Sequence, residues 1–168
     1  MKKPDTPGVI APPPLIYLGF LLAGWGLAEL GARPEAVAAG LGWLSAGFGL
    51  EMAVRRGLAL TLIVAGLFLD GMAAGLFRRR GTAVEPWKPS TALIVEGPYR
   101  LSRNPIYLGF AVTYVGLAIA MNSWIALILL VPCLFVIDRF VIQREERYLS
   151  LKFGAAYDDY RGKVRRWL

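Results

Sequence analysis

Apolar residues fall into five runs along this chain: Pro13–Ala28, Ala36–Val54, Gly57–Phe77, Pro105–Met121 and Trp124–Ile142. A helix that crosses the hydrocarbon core of a bilayer needs about 17–25 such residues, and the runs are close to that length. The pattern predicts an all-α fold, a polytopic bundle of about five transmembrane helices. Pro12, Pro13 and Pro14 open the first run, where a helix tolerates proline because its first amides have no partner to lose. No small-residue cleavage site with a polar continuation follows, so this run reads as a retained helix and not a signal peptide. Arg78-Arg79-Arg80-Gly81 stops the third run, and Asn122-Ser123 makes a short turn between the last two.

The polar remainder is concentrated in two places. Residues 78–105 carry net charge +4 and residues 138–168 carry +3, while the rest of the chain balances to zero. Excess Lys and Arg beside membrane helices marks the cytoplasmic side. Both segments are therefore expected in the cytoplasm, at the inner membrane, with the C-terminus there too. Five spans place the N-terminus outside, together with Lys2, Lys3, Arg55 and Arg56, which strains that rule. A four-span alternative lays residues 36–54 on the outer face or lets them re-enter it. The expected organisation is an N-terminal set of transmembrane helices over residues 1–77, then a functional core over 78–168.

Composition narrows the chemistry. Hydrophobic residues make up 56% of the 168 residues, charged ones 18%, and the mean hydropathy is +0.50. Soluble domains carry about 25% charged residues, so a soluble or disordered chain is a poor reading. The bilayer is the expected partner, and nucleic acid is not. Cys133 is the single cysteine and there is no histidine. That removes an intrachain disulfide, a cysteine-rich metal site, His-ligated zinc and a Ser-His-Asp triad; no metal is expected.

Glycines at 19, 24, 26, 40, 42, 47 and 49 suit close helix packing in lipid. Glu29, Glu51 and Asp70 are acids in or near apolar runs, where ionisable groups are functional candidates by default. The 78–105 segment is too long for a helix hairpin connection. It holds Trp87, the strip Ala92-Leu93-Ile94-Val95, and Tyr99, with Gly81, Pro86, Pro89, Gly97 and Pro98 setting turns. Asn104-Pro105 suits the start of the fourth helix, with Asn104 as N-cap. Free amides there, beside Arg100 and Arg103, can receive an anion. Past the fifth run, Leu149, Phe153, Tyr157 and Tyr160 recur at helical spacing, an amphipathic helix on the cytoplasmic face with a break at Gly154. Glu145-Glu146 sit just beyond the bilayer, and Arg139 and Glu146, seven apart, share a helix face.

Gly97-Pro98-Tyr99-Arg100-x-x-Arg103-Asn104-Pro105-x-Tyr107-x-Gly109, then Arg144-Glu145-Glu146, then Phe153-Gly154-x-x-Tyr157-x-x-Tyr160 resembles the isoprenylcysteine carboxyl methyltransferases and the wider group that includes phospholipid N-methyltransferases. The resemblance covers roughly residues 75–168. It implies an integral-membrane methyltransferase that uses S-adenosylmethionine and a lipophilic acceptor with a carboxylate, amine or thiol. It also implies a cytoplasmic cofactor site formed by Ala92, Leu93, Ile94, Tyr99, Arg103, Asn104, Pro105, Ile106, Tyr107, Glu145 and Glu146. The family's usual histidine before the proline is Asn104 here. Arg139 is the nearest match to a substrate-side arginine. A sterol-type membrane reductase using NADPH and a non-enzymatic scaffold are the competing readings.

Overall fold

The computed structural model describes residues 5–168. Four helices carry the apolar runs: α1 (Pro13–Gly31), α3 (Met52–Arg79), α4 (Pro105–Ala120) and α5 (Trp124–Ile137). A five-residue helix, α2 (Pro34–Ala38), lies between the first two. A π-helical turn, Asp138–Ile142, joins α5 to α6 (Gln143–Phe153), and α7 (Ala155–Lys163) follows. No strand occurs among the described residues. The protein is an all-α polytopic membrane helix bundle. Three of its helices, Pro13–Gly31, Met52–Arg79 and the continuous Trp124–Phe153, are long and apolar enough to cross a bilayer. The apolar α4 has 16 residues, about 24 Å of rise.

The expectation of five spanning helices fails at the second run. Residues 36–54 form the end of α2, a 3₁₀ turn at Gly42–Ser45, an extended stretch and the first residues of α3. Glycine explains the break. Gly40 and Gly49 adopt φ of +77° and +66°, a region that favours glycine and ends a right-handed helix. The sequence pattern counted those glycines as packing residues of a helix; they are turn residues.

The chain forms two compact units. The first comprises the chain through Pro13, Phe68–Gly109 and Val136–Leu168; the second comprises Pro14–Leu67 and Phe110–Phe135. In the second unit, the broken run closes over the turn between α4 and α5. The Phe48 amide donates to Asn122 Oδ1 at 3.1 Å, and the Phe48 ring lies 4.4 Å from that of Trp124. Helix packing there is close: a Cβ on Gly24 would come within 2.5 Å of the Ala126 Cα. The Tyr114 hydroxyl donates to the Ala126 carbonyl at 2.7 Å. Tyr17, Phe110, Thr113 and Tyr114 line an apolar cavity of about 150 Å³.

The first unit gathers the near ends of all four long helices. The segment before α1 is tied to α6: Lys152 Nζ lies 2.6 Å from Asp5 Oδ2, and Arg144 Nη1 donates to the Gly8 carbonyl at 2.6 Å. The start of α1 and the end of α6 therefore lie on one side. An N-terminus opposite the C-terminus, as five spans require, does not fit this. Lys2 and Lys3 lie outside the described residues.

Asn122 is the sole non-glycine residue with positive φ among the described residues, at +54°. Asn122→Ala should lower stability by about 2 kcal/mol, through the left-handed backbone and the lost bond to Phe48. Asn122→Gly should cost less, because glycine relieves the first of these. Thermal unfolding in detergent measures both, and equal losses would contradict this account.

Candidate active site

The long loop after α3 folds back on the helix end. The Thr82 amide donates to the Phe77 carbonyl at 3.0 Å, and the Thr91 amide to Thr82 Oγ1 at 2.8 Å. The Ser90 amide donates to the Tyr148 hydroxyl of α6 at 3.1 Å. This sets the strip 92–94 against a core of Ala73, Ile94, Tyr99, Tyr157 and Tyr160, with Leu93, Ile106, Leu149 and Phe153 packed around it. A 3₁₀ turn at Gly97–Arg100 buries the Tyr99 ring, which meets Phe77 edge-on at 5.8 Å. The Tyr160 hydroxyl donates to the Tyr99 carbonyl at 2.7 Å. Burial raises the Tyr99 hydroxyl well above its ordinary pKa and pushes Tyr157 up to about 12. Both rings are therefore neutral at physiological pH.

Next to this core is an ion-pair network. Arg103 donates from Nη2 to Glu146 Oε1 at 2.6 Å, with both side chains at most a tenth exposed. Arg166 Nη2 donates to the other oxygen of Glu146 at 2.6 Å, and its Nη1 lies 3.1 Å from Asp138 Oδ1. The last residues clamp the turn before α4. The Arg103 amide donates to the Arg165 carbonyl at 2.9 Å, and Arg103 Nη1 to the Val164 carbonyl at 2.6 Å. Ser102 Oγ and Asn104 Nδ2 both donate to the Arg166 carbonyl, at 3.1 and 3.0 Å.

Glu145 and Glu146 take different roles. Glu146 is buried with both oxygens in ion pairs. Glu145 is half-buried; its Oε1 accepts from the Tyr107 hydroxyl at 2.6 Å, and its second oxygen has no hydrogen-bond partner. Adjacent helical residues point about 100° apart, which separates these two environments.

The structure brings Leu93, Ile94, Tyr99 and Ile106 into one core, joins Tyr107 to Glu145, and ties Arg103 to Glu146. Ala92 is half-buried beside that core, and Pro105 is buried as the first residue of α4. Asn104 holds the cap position, its carbonyl accepting from the Leu108 amide at 3.1 Å. No helix amide reaches its side-chain oxygen; its carboxamide is committed to Arg166. Arg139 is exposed and donates to Gln143 Oε1 at 2.6 Å. It does not share a face with Glu146, because the π-helical turn between them adds a residue to the helical repeat. Sequence reasoning missed Arg166 and Asp138. Both were counted only as charges of a basic tail, and no local pattern links residues 28 positions apart.

A model of the family described as phospholipid methyltransferase matches residues 54–156, more than half of the chain. The chain belongs to the phospholipid methyltransferase family. It is an integral-membrane methyltransferase, and the reductase and scaffold readings fall away. This methyltransferase is 48% identical over 46 residues to an uncharacterized protein of Haemophilus influenzae, a match covering 27% of this chain and 68% of that one. It is 32% identical over 72 residues to the protein-S-isoprenylcysteine O-methyltransferase of Schizosaccharomyces pombe, covering 43% of this chain and 30% of that one. The matched stretch is thus under a third of the yeast enzyme's length. No solved structure matches.

Glu146→Gln should destabilise the methyltransferase by about 3–5 kcal/mol, because it strands the buried Arg103 guanidinium. Arg166→Met should cost less, since Glu146 keeps Arg103 and the Arg166 side chain is a third exposed. Chemical denaturation in detergent ranks the two, and the reverse order would contradict the assignment of Arg103 as the principal partner.

Proposed function

We propose that the chain transfers a methyl group from S-adenosylmethionine to a lipophilic acceptor in the membrane, with the cofactor seated on the first unit. The observation that carries this is the state of Glu145: a half-buried carboxylate with one oxygen on Tyr107 and the other open, in a methyltransferase family member. The donor set suits the cofactor. An open carboxylate oxygen accepts ribose hydroxyls in charge-assisted hydrogen bonds. Ala92, Leu93 and Ile94, with the rings of Tyr99 and Tyr107, offer apolar surface to a planar base. The amides at Asn104, Pro105 and Ile106 open α4, and a helix start favours a carboxylate. Arg103 and Glu146 brace that start from behind.

When bound, the cofactor supplies a methyl already activated on a sulfonium. The residues then need only orient the partners and exclude water. That fits a chain without histidine. The apolar cavity beside Tyr17 and Phe110 supports a lipophilic acceptor. We place Arg139, exposed at the π-helical turn, on the acceptor side.

We read the first unit as cytoplasmic, at the inner membrane, because it contains both basic segments. The short α4 then serves as the fourth crossing, and both ends of the chain lie inside. Reporter fusions at the N-terminus, Ser90 and Leu168 should all report the cytoplasm. A fusion on the opposite side from the others would refute this topology. For the cofactor, Glu145→Gln should weaken S-adenosylhomocysteine binding about tenfold to a hundredfold, the loss of about 1.5–3 kcal/mol of charge-assisted bonding. Affinity unchanged in a folded Glu145→Gln protein would remove Glu145 from the site.

A further inference from the structure

One carboxylate belongs to none of the networks above. Asp70 lies in α3, nine residues before the helix end at Arg79, about 13 Å along the axis. Both of its oxygens are shut off from solvent, and neither has a hydrogen-bond partner. An unpaired carboxylate withdrawn from water is strongly disfavoured, and ionisable groups inside membrane helices mark functional sites.

Its surroundings are defined from two directions. Residues three and seven further on share its helix face. These are Ala73, in the core with Ile94 and Tyr99, and Phe77, whose ring packs on Tyr99. From the other direction, the charges of Glu145 and Asp70 both act on the Tyr99 hydroxyl. Tyr99 thus borders the cofactor-side carboxylate and the unpartnered one.

We propose that Asp70 is a subsite for an organic ammonium ion, supplied by the methyl acceptor, and that the acceptor is a lipophilic amine and not a carboxylate. This rests on the methyltransferase reading given above. The family match and the yeast O-methyltransferase leave the acceptor atom open; the charge at Asp70 distinguishes the candidates. A carboxylate brought beside Asp70 and Glu145 adds a third negative charge in surroundings of low dielectric, and like charges there repel strongly. An ammonium instead gives Asp70 its missing partner. The proton passes from the ammonium nitrogen to a carboxylate oxygen, so both groups become neutral and the nitrogen keeps the lone pair that methylation needs. No other reactant is required. The cofactor also carries an ammonium, but Asp70 lies deep in an apolar helix, on the route of a group arriving from lipid.

The test uses the full chain in neutral detergent, without cofactor, titrated with dodecylamine and with dodecanoate. S-Adenosylhomocysteine is titrated separately. The wild type should bind the amine at least about tenfold more tightly than the carboxylate, the scale of one charge-assisted pair. Asp70→Asn should bring that ratio to about one and leave S-adenosylhomocysteine affinity unchanged, while Asp70→Glu should keep the preference. Equal binding of the two probes by the wild type overturns the proposal, whatever the variants do. Loss of S-adenosylhomocysteine affinity in Asp70→Asn also overturns it, by giving this carboxylate to the cofactor. A wild type that does not bind S-adenosylhomocysteine overturns the reading of the cofactor site instead. One that binds it but shows no amine preference overturns the Asp70 assignment alone.

Discussion

Glu146 is the residue around which the first unit is organised. Its two oxygens hold Arg103, from the turn before α4, and Arg166, from the end of the chain. A buried carboxylate is tolerable only with such partners, and losing one leaves a charge that the interior cannot solvate. The network therefore fixes three segments distant in sequence: the turn 102–104, the helix α6 and the tail 164–166. The carbonyls of Val164, Arg165 and Arg166 receive the donors of that turn. With the turn fixed, Pro105 and Tyr107 stand at the start of α4, and Tyr107 can reach Glu145. The open carboxylate is positioned by the closed one next to it.

Much of this was legible in the sequence, and the reason differs by element. Helices α1, α3, α4 and α5 follow from runs of apolar residues bounded by Pro, Arg and Asn, because burying such a run in lipid leaves a helix as the way to satisfy its backbone. Gly154 was readable as a break and adopts φ +54° between α6 and α7. The loop was readable as ordered, because it carries an apolar strip where a linker would be polar. Its contact with Tyr157 and Tyr160 follows from the same demand to bury that strip.

What was not legible has equally specific causes. Glycine in an apolar run has two uses, close helix packing and left-handed turns, and hydropathy does not distinguish them. Gly24 has the first use; Gly40 and Gly49 have the second. The second run was misread as a helix on that account. The π-helical turn at Asp138–Ile142 also leaves no mark in a pattern that assumes 3.6 residues per turn, so the expected face shared by Arg139 and Glu146 dissolved. The Arg166 contacts are long-range and depend on the tail returning to α4, which no local rule encodes.

The three carboxylates of the first unit that lie near its core show how position, not residue type, assigns chemistry. Glu146 is neutralised by two arginines and serves architecture. Glu145 is bonded to a neutral phenol, which leaves its charge in place and one oxygen open, the state suited to holding hydroxyls. Asp70 has neither a cation nor a donor, and the site around it is electrostatically incomplete until a positive group arrives. A methyltransferase built this way needs no acid–base residue of its own tuned near neutrality. The charge imbalance left by the fold selects what enters, and the geometry set by Glu146 decides where it is held.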